Sequence, residues 1–220
     1  MKKYNKVILA CLLLMLIAAC SSKKEVLIIG DSISLGYTPF VKKNIDTTRY
    51  HVVHNKGNAM FAANGVKNID KWLGDTKWDI IHFNFGLWDL CYRNPESKMQ
   101  GHRDKVNGKL TASLDEYRAN LEKIATRLDK TGARIIFATT TVVPPKEAGR
   151  IEGDEVNYNK VAVEVMKEHN FEIDDLHSIS IDIHKKYPLG LGNVHYKKAG
   201  YELLSKQVIK CIEGKTISHE

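Results

Sequence analysis

Cysteine is scarce, at four residues in a chain of 220, and this excludes a small scaffold stapled by disulfides. Five prolines and 15 glycines are too few for a collagen-like or low-complexity chain, and no internal repeat occurs. The nine histidines and four cysteines show no Cys-x-x-Cys, His-x-His or His-Glu-x-x-His spacing, so no metal centre is expected. Gly30 and Gly36 lack the spacing of a dinucleotide-binding fingerprint, so no cofactor is expected either. The net charge of +7 is also smaller than it looks. Three of the 33 Lys and Arg (Lys2, Lys3 and Lys6) lie in a leader that contains no acid. Without them, 30 basic side chains face 26 acidic ones, a net +4 with no basic cluster. Nucleic acid is therefore not expected as a partner.

The longest uncharged apolar run, Val7 to Ala19, is 13 residues, short of the ~20 that a membrane-crossing helix needs. With a positive stretch before it, the run fits a secretory signal peptide over residues 1–19. Its end, Leu16-Ile17-Ala18-Ala19-Cys20-Ser21-Ser22, resembles a bacterial lipobox. The resemblance implies a lipid on Cys20, a short tether over residues 20–24, and one domain over residues 25–220. Ser rather than Asp after the cysteine implies the outer membrane of a Gram-negative envelope. The alternative is a plain signal peptide with an incidental cysteine. Cys91 and Cys211 then remain, and they are expected to be free thiols.

From Lys24 onward, short apolar runs alternate with amphipathic stretches. Strands are expected at 25–29, 50–54, 78–85, 133–139 and 171–173. Helices are expected at 32–44, 63–73, 113–131, 156–169, 181–187 and 197–212. This alternation predicts an α/β fold, a parallel sheet of about five strands covered on both faces by right-handed crossovers. Such a sheet works at its carboxyl edge. Two long loops, Tyr92 to Lys109 and Val143 to Asp154, both follow strands, and both are expected to overhang that edge.

Gly30-Asp31-Ser32-Ile33-Ser34 falls at the first strand-to-helix junction. A serine there projects from the sheet edge, and the helix N-terminus offers N–H groups to an oxyanion. Asp-Ser before a helix is also an ordinary N-cap. The longer run Gly30 to Tyr37 resembles the first block of the SGNH (GDSL-type) hydrolases. Asn193-Val194-His195-Tyr196-Lys197-Lys198-Ala199-Gly200-Tyr201 resembles the family's closing block. The resemblance spans Glu25 to about Ile212. It implies a flavodoxin-like three-layer α/β/α sandwich, with Ser32 as nucleophile and His195 as base.

The middle blocks depart from the family pattern. Gly57 and Asn58 stand where the resemblance implies oxyanion-hole donors, although Gly57 can equally be a turn glycine. The third block is Gly86-Leu87-Trp88-Asp89, with Trp88 where the family has an Asn donor. Trp88 then either donates through its indole N–H or shapes a substrate pocket. The family's Asp three residues before the histidine is Gly192 here. His195 is therefore expected to lean on a backbone carbonyl, or on Asp89, Asp174 or Asp175 if folding brings one near. On that reading an Asp introduced at position 192 should supply the missing charge. The resemblance implies a serine ester hydrolase acting on an acylated carbohydrate or other ester, deacetylation being the leading reading. Two alternatives stand: a lipid esterase or thioesterase with a groove lined by Leu87, Trp88 and Leu90, or a binding lipoprotein that keeps the fold without catalysis.

Overall fold

Val26-Leu27-Ile28-Ile29 is a run of branched apolar residues with no polar alternation, the pattern of a strand covered on both faces. It forms most of β1 (Lys24–Ile29), an interior strand of a five-stranded parallel sheet in the computed structural model, which describes residues 22–214. The expected signal peptide and lipidated Cys20 lie outside the described residues. β2 (Tyr50–His54) flanks β1 on one side. On the other come β3 (Ile80–Phe83), β6 (Arg134–Ala138) and β7 (Glu172–Asp174), giving the order β2-β1-β3-β6-β7.

Two helical layers cover the sheet. On one face α6 (Lys198–Ile212) packs between α1 (Ser32–Asn44) and α5 (Leu176–Lys186). α2 (Ala62–Leu73), α3 (Leu114–Asp129) and α4 (Asp154–Glu168) pack on the other. α3 starts at a capping box, the Ser113 side chain accepting from the Glu116 N–H while the Glu116 carboxylate accepts from the Ser113 N–H. α1 and α6 lie very close, because a Cβ on Gly36 would stand 2.2 Å from the Tyr201 ring. The missing side chain thus brings together the two helices that follow Ser32 and His195.

The sandwich agrees with the alternation of strand and helix patterns. Most boundaries shift by a residue or two, and three differences are larger. β3 is shorter than the run 78–85: Trp78 and Asp79 precede it and Asn84 and Phe85 follow it, although the Asn84 N–H still donates to the Ile29 carbonyl at 3.0 Å. α5 starts at Leu176, not near 181, because the Asp175 side chain caps it by accepting from the Ser178 N–H. The polar stretch 92–109 is not all loop. It holds a two-residue hairpin, β4 (Tyr92–Arg93) with β5 (Lys109–Leu110). Cys91 and Cys211 are free thiols, as expected.

Candidate active site

The chain leaves β1, whose crossover leads to β2 on one side, while β3 lies on the other. A crevice opens at such a switch point, beyond the carboxyl ends of the strands. Gly30 and Asp31 make the turn, and the Asp31 carboxylate caps α1 by accepting from the Ile33 N–H at 2.9 Å. Ser32 is therefore the first residue of α1, where backbone N–H groups have no intrahelical acceptor. Its hydroxyl faces the crevice. Ser34, one turn-face away, is instead buried against His54, with Oγ 2.7 Å from Nε2.

His195 reaches the crevice from the segment before α6. Its Nε2 lies 2.8 Å from Ser32 Oγ. Its Nδ1 lies 2.8 Å from Asn193 Oδ1, and the His195 backbone N–H donates to that same oxygen at 3.0 Å. A backbone N–H can only donate, so the Asn193 atom facing it must be the carbonyl oxygen. An amide oxygen can only accept, so Nδ1 carries the proton. Nε2 is left with a lone pair aimed at the serine hydroxyl. Burial holds the imidazole below its ordinary pKa, and the Arg150 and Arg103 guanidiniums push it the same way. A neutral, basic Nε2 beside a hydroxyl at a helix N-terminus is an arrangement for nucleophilic acyl transfer.

The partner of His195 corrects two expectations. It is a side-chain amide, not a backbone carbonyl. None of the three candidate acids serves it. Asp89 is buried and accepts from the Ala62 N–H at 2.9 Å. Asp174 pairs with His82 Nε2 at 2.9 Å, both side chains fully buried, and accepts from Gln207. Asp175 caps α5. Gly192 is also unsuited to an acid, for its φ is 62° and a Cβ there would stand 2.3 Å from the Lys146 carbonyl oxygen.

Asn58 and Trp88 line the same cavity of about 300 Å³ as Ser32 and His195. Asn58 Oδ1 accepts from the Met60 N–H at 2.8 Å, which leaves its Nδ2 donors unused by that bond. Gly57 sits in an exposed turn at φ 78° and is not among the residues lining the cavity. Trp88 is half-buried, and the Arg93 guanidinium carbon stands 4.0 Å from its ring centroid, a cation–π contact. Leu87 lines the cavity too, whereas Leu90 is wholly buried in the core and cannot shape a groove.

The two long loops meet over the crevice, as their positions after strands predict. The Tyr92 N–H donates to the Gly149 carbonyl at 2.6 Å and the Lys105 N–H to the Ala148 carbonyl at 2.9 Å. From them Arg93, Arg103 and Arg150 reach the cavity. Residue pattern alone misses these three and Asn193. The arginines are far apart in sequence and converge only when the loops pack together. Asn193 carries one readable signal, its place two residues before the histidine. Among the described residues no cluster of metal-ligating side chains occurs, and no helix is long and apolar enough to cross a membrane.

The fold and the match to a family model define a class, the α/β/α serine hydrolases. The sequence model of the GDSL-like lipase/acylhydrolase family matches residues 28–203. The chain belongs to that family and is a serine ester hydrolase. No curated protein matches it. Several solved structures share its fold. The acetyl xylan esterase AlAXEase is 15% identical with a TM-score of 0.68, over 86% of this chain and 99% of that one. Axe2, an acetylxylan esterase from Geobacillus stearothermophilus, is 17% identical at 0.66, over 87% and 94%. A lipase/acylhydrolase from Enterococcus faecalis is 22% identical at 0.66, over 87% and 96%.

Proposed function

We propose that Ser32 is the nucleophile and His195 the general base of an esterase that removes acetyl groups from a carbohydrate. The observation that carries the assignment is the 2.8 Å contact between Ser32 Oγ and the lone-pair nitrogen of His195. Nε2 takes the hydroxyl proton as Oγ attacks the ester carbonyl carbon. The carbonyl electron pair moves onto oxygen, giving a tetrahedral oxyanion. The Ser32 N–H and Asn58 Nδ2 are its donors, whereas Gly57, expected from the sequence as a donor, does not line the cavity. Losing one such donor typically costs about 2.7–4 kcal/mol of transition-state stabilisation. Collapse breaks the bond to the alcohol, which leaves with the proton from Nε2. Water, deprotonated by the same nitrogen, then attacks the acyl-serine and frees the acid and Ser32.

Several features favour a carbohydrate over a lipid. The cavity is walled by Trp88 and polar groups rather than by a continuous apolar groove. A neighbouring groove of about 530 Å³ shares Asn58 and adds the amides of Asn64 and Asn68 beside the half-buried Trp72. The solved relatives of known activity named above include two acetyl xylan esterases.

Lipid on Cys20 would favour the same substrate. β1 begins four residues beyond that cysteine, at most ~13 Å of extended chain. A membrane would then lie at the amino edge of the sheet. Ser32 follows the far end of a six-residue strand, so the crevice would open roughly 20 Å further away, toward soluble polymer rather than membrane lipid. Cys20→Ala should abolish partition into the membrane fraction.

The test is release of acid from a panel running from peracetylated xylose to long-chain p-nitrophenyl esters. Acetate release from the sugar, lost in Ser32→Ala, is expected. Preference for acyl chains of eight or more carbons would support lipid esterase activity instead.

A further inference from the structure

The cavity beside Ser32 holds more positive charge than its own carboxylates balance. Arg103 Nη1 and Arg150 Nη1 donate to one oxygen of Glu147, at 2.6 and 2.9 Å. The Glu147 side chain is fully buried, and those of Arg103 and Arg150 are 15% and 5% exposed. One carboxylate thus serves two guanidiniums. The third, Arg93, lies over Trp88 and donates Nη1 to the Gly101 carbonyl, and its Nε is buried with no hydrogen-bond partner. Glu147 sits behind the cavity wall, and the acid lining the cavity, Asp31, already accepts from the Ile33 N–H. Even with Asp31 and Glu147 both ionised, three fixed cations face two anions.

Holding guanidinium groups in a largely desolvated place without matching anions is costly. Arg103 could be explained as a tie between the two loops through Glu147, and Arg150 as a tie from its loop to the turn after β3, since its Nε also donates to the Leu87 carbonyl at 2.6 Å. That explanation fails for Arg93, whose Nη1 bonds Gly101 within its own loop and whose buried Nε has no partner. The planar guanidinium fork suits the paired oxygens of a carboxylate or phosphate.

We propose that the ester taken by this site carries an anionic group, a carboxylate or a phosphate, which docks between Arg93, Arg103 and Arg150 while the acyl carbon lies against Ser32. The proposal rests on the reading of Ser32 and His195 as the hydrolytic pair. The substrate class becomes an acetylated acidic sugar, either a uronate or a sugar phosphate. Binding the anion would also offset the positive field on His195, so that the imidazolium formed during proton transfer is less opposed.

Two matched pairs test it, with the whole mature domain. One is acetylated methyl glucuronide against its uronic methyl ester, the other acetylated glucose 6-phosphate against acetylated glucose. Each pair differs by the anion alone, and acetate release reads kcat/KM. The expected result is a preference of about tenfold or more for the anionic member of at least one pair. The favoured pair identifies the anion as carboxylate or phosphate. The preference should shrink in high salt and fall several-fold in Arg93→Gln and Arg103→Gln, chiefly through KM. Equal kcat/KM within both pairs would overturn the proposal while leaving the esterase reading intact. Calorimetric titration of Ser32→Ala with the same four compounds separates the two ideas further. Tighter binding of the anionic members without any turnover by the unsubstituted protein would uphold the pocket and sink the esterase reading. Equal binding within both pairs would sink the pocket whatever the turnover.

Discussion

Asn193 Oδ1 accepts both the Nδ1–H and the backbone N–H of His195, two residues further along the chain. The imidazole is thereby held in the tautomer a general base needs, with no charge behind it. An amide fixes orientation, but a carboxylate would also stabilise the imidazolium. Asp at this position has the same shape and keeps both acceptor contacts. Asn193→Asp should therefore raise kcat/KM on an acetyl ester by a factor on the order of ten, one pKa unit being about 1.4 kcal/mol. A slower, folded Asn193→Asp protein would mean that the neutral partner is required.

The pH profile offers an independent reading of the same contact. Burial, aided by Arg150 and Arg103, lowers the His195 pKa, so the imidazole stays neutral at pH 7 and protonates only below its ordinary range. The acid limb of kcat/KM should lie below pH 6.5, a typical histidine value. It should move upward in Asn193→Asp. An acid limb above 6.5 in the unsubstituted protein would contradict this electrostatic account.

Gly192→Asp should do the opposite of what its place three residues before the histidine suggests. At φ 62°, with the Lys146 carbonyl oxygen 2.3 Å from where a Cβ would stand, any side chain must push the 143–154 loop away. Lower melting temperature and lower kcat/KM are expected, whereas the charge argument alone calls for a faster enzyme. A stable and faster Gly192→Asp protein would show that the loop yields freely.

Much of the architecture was legible because it rests on local patterns. The unbroken apolar run 26–29 announced a buried parallel strand, and Ser32 and His195 sat in motifs at the right junctions. The two loops could be assigned to the active edge because each follows a strand. What they do there was not legible. Arg93 and Arg103 meet Arg150 and Glu147 through tertiary packing that no sequence spacing encodes. Asp89 shows the same limit in reverse. It was one of three acids open to the histidine if folding brought it near, yet folding buries it under the first turn of α2.

Asp89 has a consequence for stability. It is fully buried, one carboxylate oxygen has no partner, and burial pushes its pKa up to about 8. Between the usual carboxylate range and pH 8 the native protein keeps a proton that the unfolded chain has lost. Stability should fall as pH rises through that window, by at most about 1.4 kcal/mol per unit from this group. Asn at position 89 keeps the acceptor for the Ala62 N–H and cannot ionise. Asp89→Asn should be close to the unsubstituted protein near pH 4 and increasingly more stable than it toward pH 8. Parallel melting curves across that range would refute the assignment.

The most direct measurement is labelling by a fluorophosphonate, which forms a covalent bond with a serine oxygen only where a base activates it. Mass spectrometry of the labelled protein should find the phosphonyl group on Ser32. Labelling should be lost in Ser32→Ala and fall steeply in His195→Ala, while hydrolysis drops to a similar residual rate in both and in the double variant. Labelling at Ser34, or full ester hydrolysis by Ser32→Ala, would contradict the account.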